Sequence, residues 1–332
     1  MTADSPRLSI AGSASSFSEL DLQEELPLVA ENEFIARIDF LKFAGDHILL
    51  GDSFFGQQLF LFNTSGTLRH KIGKRGRGPS EYINPQASGI FDNKIYVASS
   101  GTQRMEVFDL NGAYLRSFSL AGQMIMYDML FDSSGHIFML NPTRYLRHSI
   151  AVFDTLGKKL NEISEIDEEF KYSFDTFNPP SSFAINERDE LYQIFNHRYE
   201  IKVFDKKGQA LRTIRCSSPF YKAPDYEKAK TVRGIDHEKR FMITFTHLRG
   251  IFLLKPDLIA VVLRNWESLD EYWEVIEFWH PDGRFFTRYR VEEDEKLVAT
   301  RNEYLVFSKE SPVDEKGLYG NPSLIWRTFR KN

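Results

Sequence analysis

The sequence predicts an all-β chain of six four-stranded antiparallel units, a six-bladed β-propeller whose ring is closed by an N-terminal strand. Three observations carry this expectation. Six short turns, Gly45-Asp46, Asp92-Asn93, Ser134-Gly135, Arg188-Asp189, Pro256-Asp257 and Arg301-Asn302, are each followed at once by an apolar run such as His47-Ile-Leu-Leu50 or Leu258-Ile-Ala-Val261. They recur at steps of 42 to 68 residues, the repeat length of a propeller blade with insertions. About twenty residues after most of them comes an aromatic-polar-x-x-glycine turn: Phe62 to Gly66, Phe108 to Gly112, Phe153 to Gly157, Phe204 to Gly208 and Trp279 to Gly283. The glycine supplies the positive φ of a tight hairpin, and the Asp or Asn bonds the turn backbone.

Residues 1–35 read as an N-terminal arm and closing strand. The sixth unit supplies strands near Leu297–Thr300, Tyr304–Phe307 and Leu324–Phe329, then the chain ends without a fourth. An open sheet edge invites aggregation, so the stretch Leu26–Ala30, or alternatively Leu8–Ala11, is expected to fill that place. Composition agrees with one β domain over 1–332: 14 % of residues are aromatic, 29 of them Phe, which suits sheets packed face to face. The net charge of −5 gives no global signature for nucleic acid, and no apolar run is long enough to span a bilayer. Cys216 stands alone and reads as a half-buried strand residue. Met1 to Pro6 lacks the charged and apolar regions of an export signal, which leaves a cytoplasmic protein or one whose signal precedes this sequence.

The run Lys71-Ile-Gly-Lys-Arg-Gly-Arg-Gly-Pro-Ser-Glu-Tyr82 resembles a signature of bacterial six-bladed β-propeller proteins related to the NHL repeat, found mostly in Bacteroidetes. The resemblance implies the propeller fold, and export or a lipid anchor upstream, but no particular activity. The sequence departs from the signature at Ser80, where the family carries glycine. A phosphate-cradling loop would need a helix start after the glycines; here Pro79 and another strand follow, so a blade-to-blade crossover is expected, with Glu81 paired to Arg75 or Arg77.

In a propeller the first-to-second and third-to-fourth strand turns share one face, and the second-to-third turns and the crossovers share the other. Here the extra length falls in the second set: Leu120–Tyr127, Ser164–Pro180, Ser217–Thr246, Arg264–Trp273 and Ser308–Asn321. Function concentrates in such loops. The 217–246 insertion is expected to hold a helix in Pro224–Arg233, either a lid or an inert brace.

The same face gathers Arg144, Tyr145, Arg147, His148, His197, Arg198, Tyr199, Trp266 and Trp273, besides Phe54, Phe55, Arg104 and Tyr272. Aromatic faces stack on sugars or peptide side chains, and guanidinium groups pair with carboxylate or sulfate. The expectation is a non-enzymatic binding platform, without cofactor, for a small-molecule or protein ligand. The alternative is a metal-dependent hydrolase or lyase holding a divalent cation such as Ca at the pore mouth through Asp39, Asp128, His247 and Glu295. No histidine pair has ligand spacing, and no nucleophile constellation emerges from the spacing.

Overall fold

The computed structural model describes residues 17–31, 33–120, 126–141, 146–167, 181–232, 234–255, 257–311 and 320–330. The secondary structure is almost wholly β. The N-terminal strand is β1 (Leu20–Pro27). The first sheet is β2 (Phe40–Ala44), β3 (His47–Asp52), β4 (Gln58–Asn63) and β5 (Leu68–Ile72). A two-stranded parallel pair, β6 (Lys74–Arg75) and β7 (Glu81–Tyr82), leads to the second sheet: β8 (Ala87–Phe91), β9 (Lys94–Ser99), β10 (Arg104–Asp109) and β11 (Tyr114–Ser119). The third is β12 (Asp128–Phe131), β13 (Ile137–Leu140), β14 (His148–Phe153) and β15 (Lys159–Glu165). The fourth is β16 (Ser181–Ile185), β17 (Leu191–Phe195), β18 (Arg198–Phe204) and β19 (Ala210–Arg215). After α1 (Tyr226–Ala229) and α2 (Ile235–Met242) comes the fifth: β20 (His247–Leu254), β21 (Leu258–Trp266), β22 (Tyr272–Trp279) and β23 (Phe285–Arg290). The chain closes with β24 (Glu295–Arg301), β25 (Tyr304–Lys309) and β26 (Ser323–Phe329).

Each of the first five sheets is ordered as its chain runs, and the sixth is ordered β1-β26-β25-β24. An N-terminal strand therefore completes the last sheet, as expected, but it lies at Leu20–Pro27 rather than Leu26–Ala30. Residues beyond it do different work: Val29 N–H donates to Gly66 O at 2.8 Å and Val29 O accepts from Leu68 N–H at 2.9 Å, against the outer strand of the first sheet. The alternative Leu8–Ala11 lies outside the described residues, as does Pro256 of the fifth turn.

The chain divides into two compact units, one of Leu20–Asn141, Ala151–Asn161 and Asp294–Asn332, the other of Met1–Glu19, Pro142–Ile150 and Glu162–Glu293. The apolar runs after the turns are second strands buried on both faces, which is why they read as continuous rather than alternating. In β3, Ile48 and Leu50 pack toward Val298, Val306 and Leu324 of the sixth sheet, while Leu49 packs toward Ile95, Val97 and Phe108 of the second. Period-two geometry lets one strand serve both cores. In the other unit, Ile194, Ile201 and Val203 of the fourth sheet meet Val261, Leu263 and Trp279 of the fifth.

The glycine turns form as their chemistry requires. Asp109 Oδ1 accepts the N–H groups of Asn111 at 2.9 Å and Ala113 at 2.8 Å, with Gly112 at φ 78°. Asp154 and Asp205 repeat both bonds. The signature run adds a more specific device. Tyr82 is fully buried; its hydroxyl donates to Ile72 O at 2.5 Å and accepts from Leu59 N–H at 3.2 Å, so burial holds it protonated far above neutral pH. Glu81 pairs with neither Arg75 nor Arg77. Its Oε2 accepts Gly78 N–H at 2.7 Å and its Oε1 lies 3.4 Å from Lys74 Nζ, interactions led by the Gly78 bond that hold the carboxyl below its ordinary range. Ser80 adopts φ 62°, which explains the glycine carried there by the signature.

Two substitutions test this loop. Ser80→Gly should raise stability by up to ~1 kcal/mol by relieving a left-handed residue. Gly73→Ala should lower it by roughly 1–3 kcal/mol, because φ is already 61° and a Cβ would stand 2.7 Å from the Tyr82 ring. Urea unfolding midpoints of the two variants should therefore move in opposite directions.

Candidate ligand surface

The fifth sheet has the longest central strands, and their hairpin stays paired out to Trp266 and Tyr272. Alternation then puts Arg264, Trp266, Tyr272 and Glu274 on one face, with His247 opposite Arg264. Arg264 Nε donates to Glu274 Oε1 at 2.8 Å, and this pair holds its guanidinium carbon 3.6 Å from the Tyr272 ring centre and 5.6 Å from that of Trp266. Trp266 meets Tyr272 edge-on at 5.3 Å and His247 at 5.7 Å; His247 stacks on Phe245 at 4.5 Å. Tyr272 is 49 % exposed, so the row is open at its outer end. Trp266 Nε1 and Asn265 Nδ2 are buried donors without an acceptor among the described residues.

Trp273 belongs to the other face of the hairpin, where Arg290 lies 4.1 Å above its ring and Phe220 meets it edge-on at 5.8 Å. The two tryptophans therefore do not form one surface. Of the remaining predicted residues, Tyr199 is a correction: it is 3 % exposed, and its hydroxyl donates to Glu277 Oε2 at 2.8 Å and accepts from Trp279 Nε1 at 2.9 Å. His197 is buried as well, with Nε2 3.2 Å from Asp167 Oδ1, and Arg198 reaches the same carboxylate at 3.7 Å. Arg147 pairs with Glu165 at 3.2 Å, and His148 lies 3.7 Å from Glu162. The acidic stretch leaving the third sheet thus faces these cations; its spacing, Glu162-x-x-Glu165-x-Asp167, was the available signal. Arg144 and Tyr145 lie outside the described residues.

The insertion is fastened. Tyr221 and Tyr226 both donate to His197 O, at 2.9 and 2.6 Å, and Thr246 Oγ1 lies 2.8 Å from Asn265 Oδ1. Asp225 caps α1 by accepting Lys228 N–H at 3.0 Å, within the stretch expected to be helical. The longer α2 was not foreseen; it buries Phe241 and Met242 and turns Asp236, Lys239 and Arg240 outward.

The alternative metal ligands are engaged elsewhere. Asp39 Oδ2 accepts the N–H groups of Ser53 at 2.8 Å and Phe54 at 2.9 Å, and its Oδ1 pairs with Arg37. Asp128 binds Lys42 at 2.7 Å, and Glu295 grips Arg327 at 2.7 and 3.0 Å. His247 Nε2 donates to Met242 O at 2.8 Å. Among the described residues no three His, Cys, Asp or Glu side chains converge as a metal site.

Two further features stand out, the first at Phe54 and Phe55, already named among the aromatics of the long turns. In the turn after β3, Phe54 and Phe55 are 64 % and 63 % exposed, and Arg37 lies about 5 Å from both rings. Asp39 and Asp52 clamp that turn through its backbone. Two successive Phe in a polar turn are its sequence signal. A cleft of about 270 Å³ also lies between the short turns of the fourth and fifth sheets, floored by Ile185, Leu253 and Ile259 and crossed by the Glu187–Lys255 ion pair.

Burial lowers the His247 pKa to about 4, from 6.5 when unfolded. The folded group stays neutral while the unfolded one takes up its proton, so stability is full above pH 6.5 and falls as pH drops toward 4, by about 3 kcal/mol. Urea unfolding across that window should show this slope, and His247→Gln should flatten it.

The family model of a six-bladed β-propeller matches residues 12–253. None of the curated proteins matches the chain. Among solved structures, a Bacteroides fragilis protein taken to be exported aligns with TM-score 0.73 at 14 % identity, covering 96 % of this chain and 98 % of its own. A Bacteroides vulgatus protein of another family of unknown function gives 0.67 at 13 %, covering 95 % and 98 %. A catalytically inactive virginiamycin B lyase from Staphylococcus aureus, with quinupristin, gives 0.53 at 10 %, covering 87 % and 80 %. These likenesses concern the fold. With the match extending over most of the chain and six four-stranded sheets present, the chain belongs to the DUF5128 family of six-bladed β-propellers.

Proposed function

We propose that this propeller is a non-enzymatic platform that binds a saccharide or anionic ligand on its long turns. The observation that carries the reading is the row Arg264, Trp266 and Tyr272 in the fifth-sheet hairpin, buried at Arg264 and open at Tyr272. An aromatic face and an adjacent guanidinium are complementary to a sugar ring bearing a carboxylate or sulfate. The orphan donor Trp266 Nε1 supports it, since a ligand oxygen would supply the missing acceptor. Arg147, Arg198 and His148 belong to the same proposal as flanking contacts; exposed pairs such as Arg147–Glu165 are weak and exchange readily for a ligand anion. Export to the periplasm or cell surface accompanies the reading, supported by the Bacteroides fragilis neighbour.

Tryptophan emission titrated with chondroitin sulfate and maltose oligosaccharides tests the proposal. Quenching should saturate with the anionic series, and Tyr272→Ala should weaken binding roughly fivefold, as loss of one stacked contact of about 1 kcal/mol predicts. Unchanged emission, together with no binding heat for either series, would sink it.

A further inference from the structure

A strongly cationic strip lies far from that hairpin in sequence. Between residues 69 and 77 the chain carries Arg69, Lys71, Lys74, Arg75 and Arg77, all exposed, in a protein whose net charge is −5. Only two of these cations have an ion pair among the described residues: Lys71 with Glu33 at 3.0 Å and Lys74 with Glu81 at 3.4 Å. Arg69, Arg75 and Arg77 remain uncompensated.

The strip is built on fixed backbone. Arg69 and Lys71 alternate outward along β5, on the outer side of the first sheet, about 7 Å apart. Arg75 and Arg77 ride the glycine loop, which is held by the β6–β7 pairing and by Arg104 Nη2 donating to Arg77 O at 3.2 Å and Gly78 O at 2.8 Å. The Glu81 carboxylate occupies the loop interior, so the arginine heads are left for solvent. The clamped turn with Phe54 and Phe55 enters β4 at Gln58, at the same end of the first sheet where β5 leaves for the loop after Ile72. Gln58 Nε2 ties the two together by donating to Ile72 O at 3.2 Å. Two residues lie between Phe55 and Gln58 and two between Ile72 and Arg75, which keeps the two Cα positions within roughly 25 Å of each other.

We propose that this strip docks an anionic polysaccharide, with Arg69, Arg75 and Arg77 taking its charges and Phe54 and Phe55 stacking on its sugar rings. This rests on the binding-platform reading above and names a ligand class and a second place of contact for it. Several exposed cations along one stretch suit a linear chain carrying repeated charges, and exposed rings suit sugar faces. Nucleic acid would call for a basic domain, which this is not.

Calorimetry with dextran sulfate, uncharged dextran, a short DNA duplex and phosphatidylserine vesicles decides the matter. Dextran sulfate should bind with strong salt dependence and dextran should not. R75Q/R77Q should weaken dextran sulfate on the order of tenfold at low salt and reduce the log–log salt slope by about two. F54A/F55A should weaken it without changing the slope, and R284Q, at an exposed turn elsewhere, should leave it unchanged. All these side chains are exposed, and matching thermal midpoints exclude misfolding. Wild-type affinity in R75Q/R77Q would overturn the strip. Duplex or vesicles held as tightly as dextran sulfate would overturn the polysaccharide assignment. If dextran sulfate is not bound while tryptophan emission responds to chondroitin sulfate, the strip alone fails; if neither responds, the platform reading fails with it.

Discussion

The pairing of the two chain ends in the sixth sheet is the constraint on which its unit depends. β24, β25 and β26 leave an edge that β1 covers in antiparallel register from Leu20 opposite Phe329 to Pro27 opposite Ser323. Without β1, that edge would expose its unpaired backbone groups. The same stretch then runs on to the first sheet, where Leu28 and Ala30 enter one core with Leu26, Ile48 and Leu324. Asn321 adds a polar lock by accepting Ile35 N–H at 2.8 Å and donating to Glu33 O at 3.1 Å. One segment thus closes a sheet, fills a core between two sheets and fixes the turn that precedes the C-terminal strand.

The glycine loop shows how a phosphate-like pattern can serve a different end. A Cβ at Gly76 would stand 2.1 Å from Glu81 Oε2, and one at Gly78 would stand 3.1 Å from it. The glycines make room for an anion, and the anion is the chain's own carboxylate. Backbone N–H groups are satisfied internally, as in any anion nest, while the neighbouring arginines stay outside.

Strand existence was legible because turn chemistry and apolar runs are local. Six sheets, the carboxylate-bonded turns and the late N-terminal closure all follow from such signals. The sign of a strand face is not local. Arg198 and Tyr199 are neighbours in β18, so period two sends them to opposite faces, but only the core formed with the fifth sheet decides that Tyr199 goes inward. The same ambiguity set Trp266 and Trp273 on opposite sides of one hairpin. Partner choice is equally non-local: three cations lie within reach of Glu81 in sequence, and the parallel β6–β7 register selects Lys74. The second insertion helix escaped notice because five polar residues run from Asp236 to Arg240, and Phe241 at its C-terminal end packs with Ala229 and Phe245 of the insertion rather than in a full apolar stripe.

The repeat also explains what anchors the elaborated parts. Two residues before the turn aromatic of the third strand in each of the first five sheets stand Phe60, Glu106, Ala151, Lys202 and Glu277. Apolar residues fill that slot in the first and third sheets, but two others bury a glutamate there, and burial pushes both carboxyls up. Buried ion pairs seldom add net stability, so their retention asks for another role. Glu106 lies 2.9 Å from Arg104 Nε and orients it, and the other end of Arg104 grips the glycine loop. Glu277 accepts Ser218 Oγ at 2.6 Å, at the start of the 217–246 insertion, and Tyr199, whose ring packs on Tyr221. In each unit a charge buried in the same slot of the repeat reaches outward to fix an irregular segment that the sheet itself has no means to hold. Two buried carboxylates thus add to the contacts, such as Tyr221 and Tyr226 on His197 O, that tie the irregular segments to the regular frame.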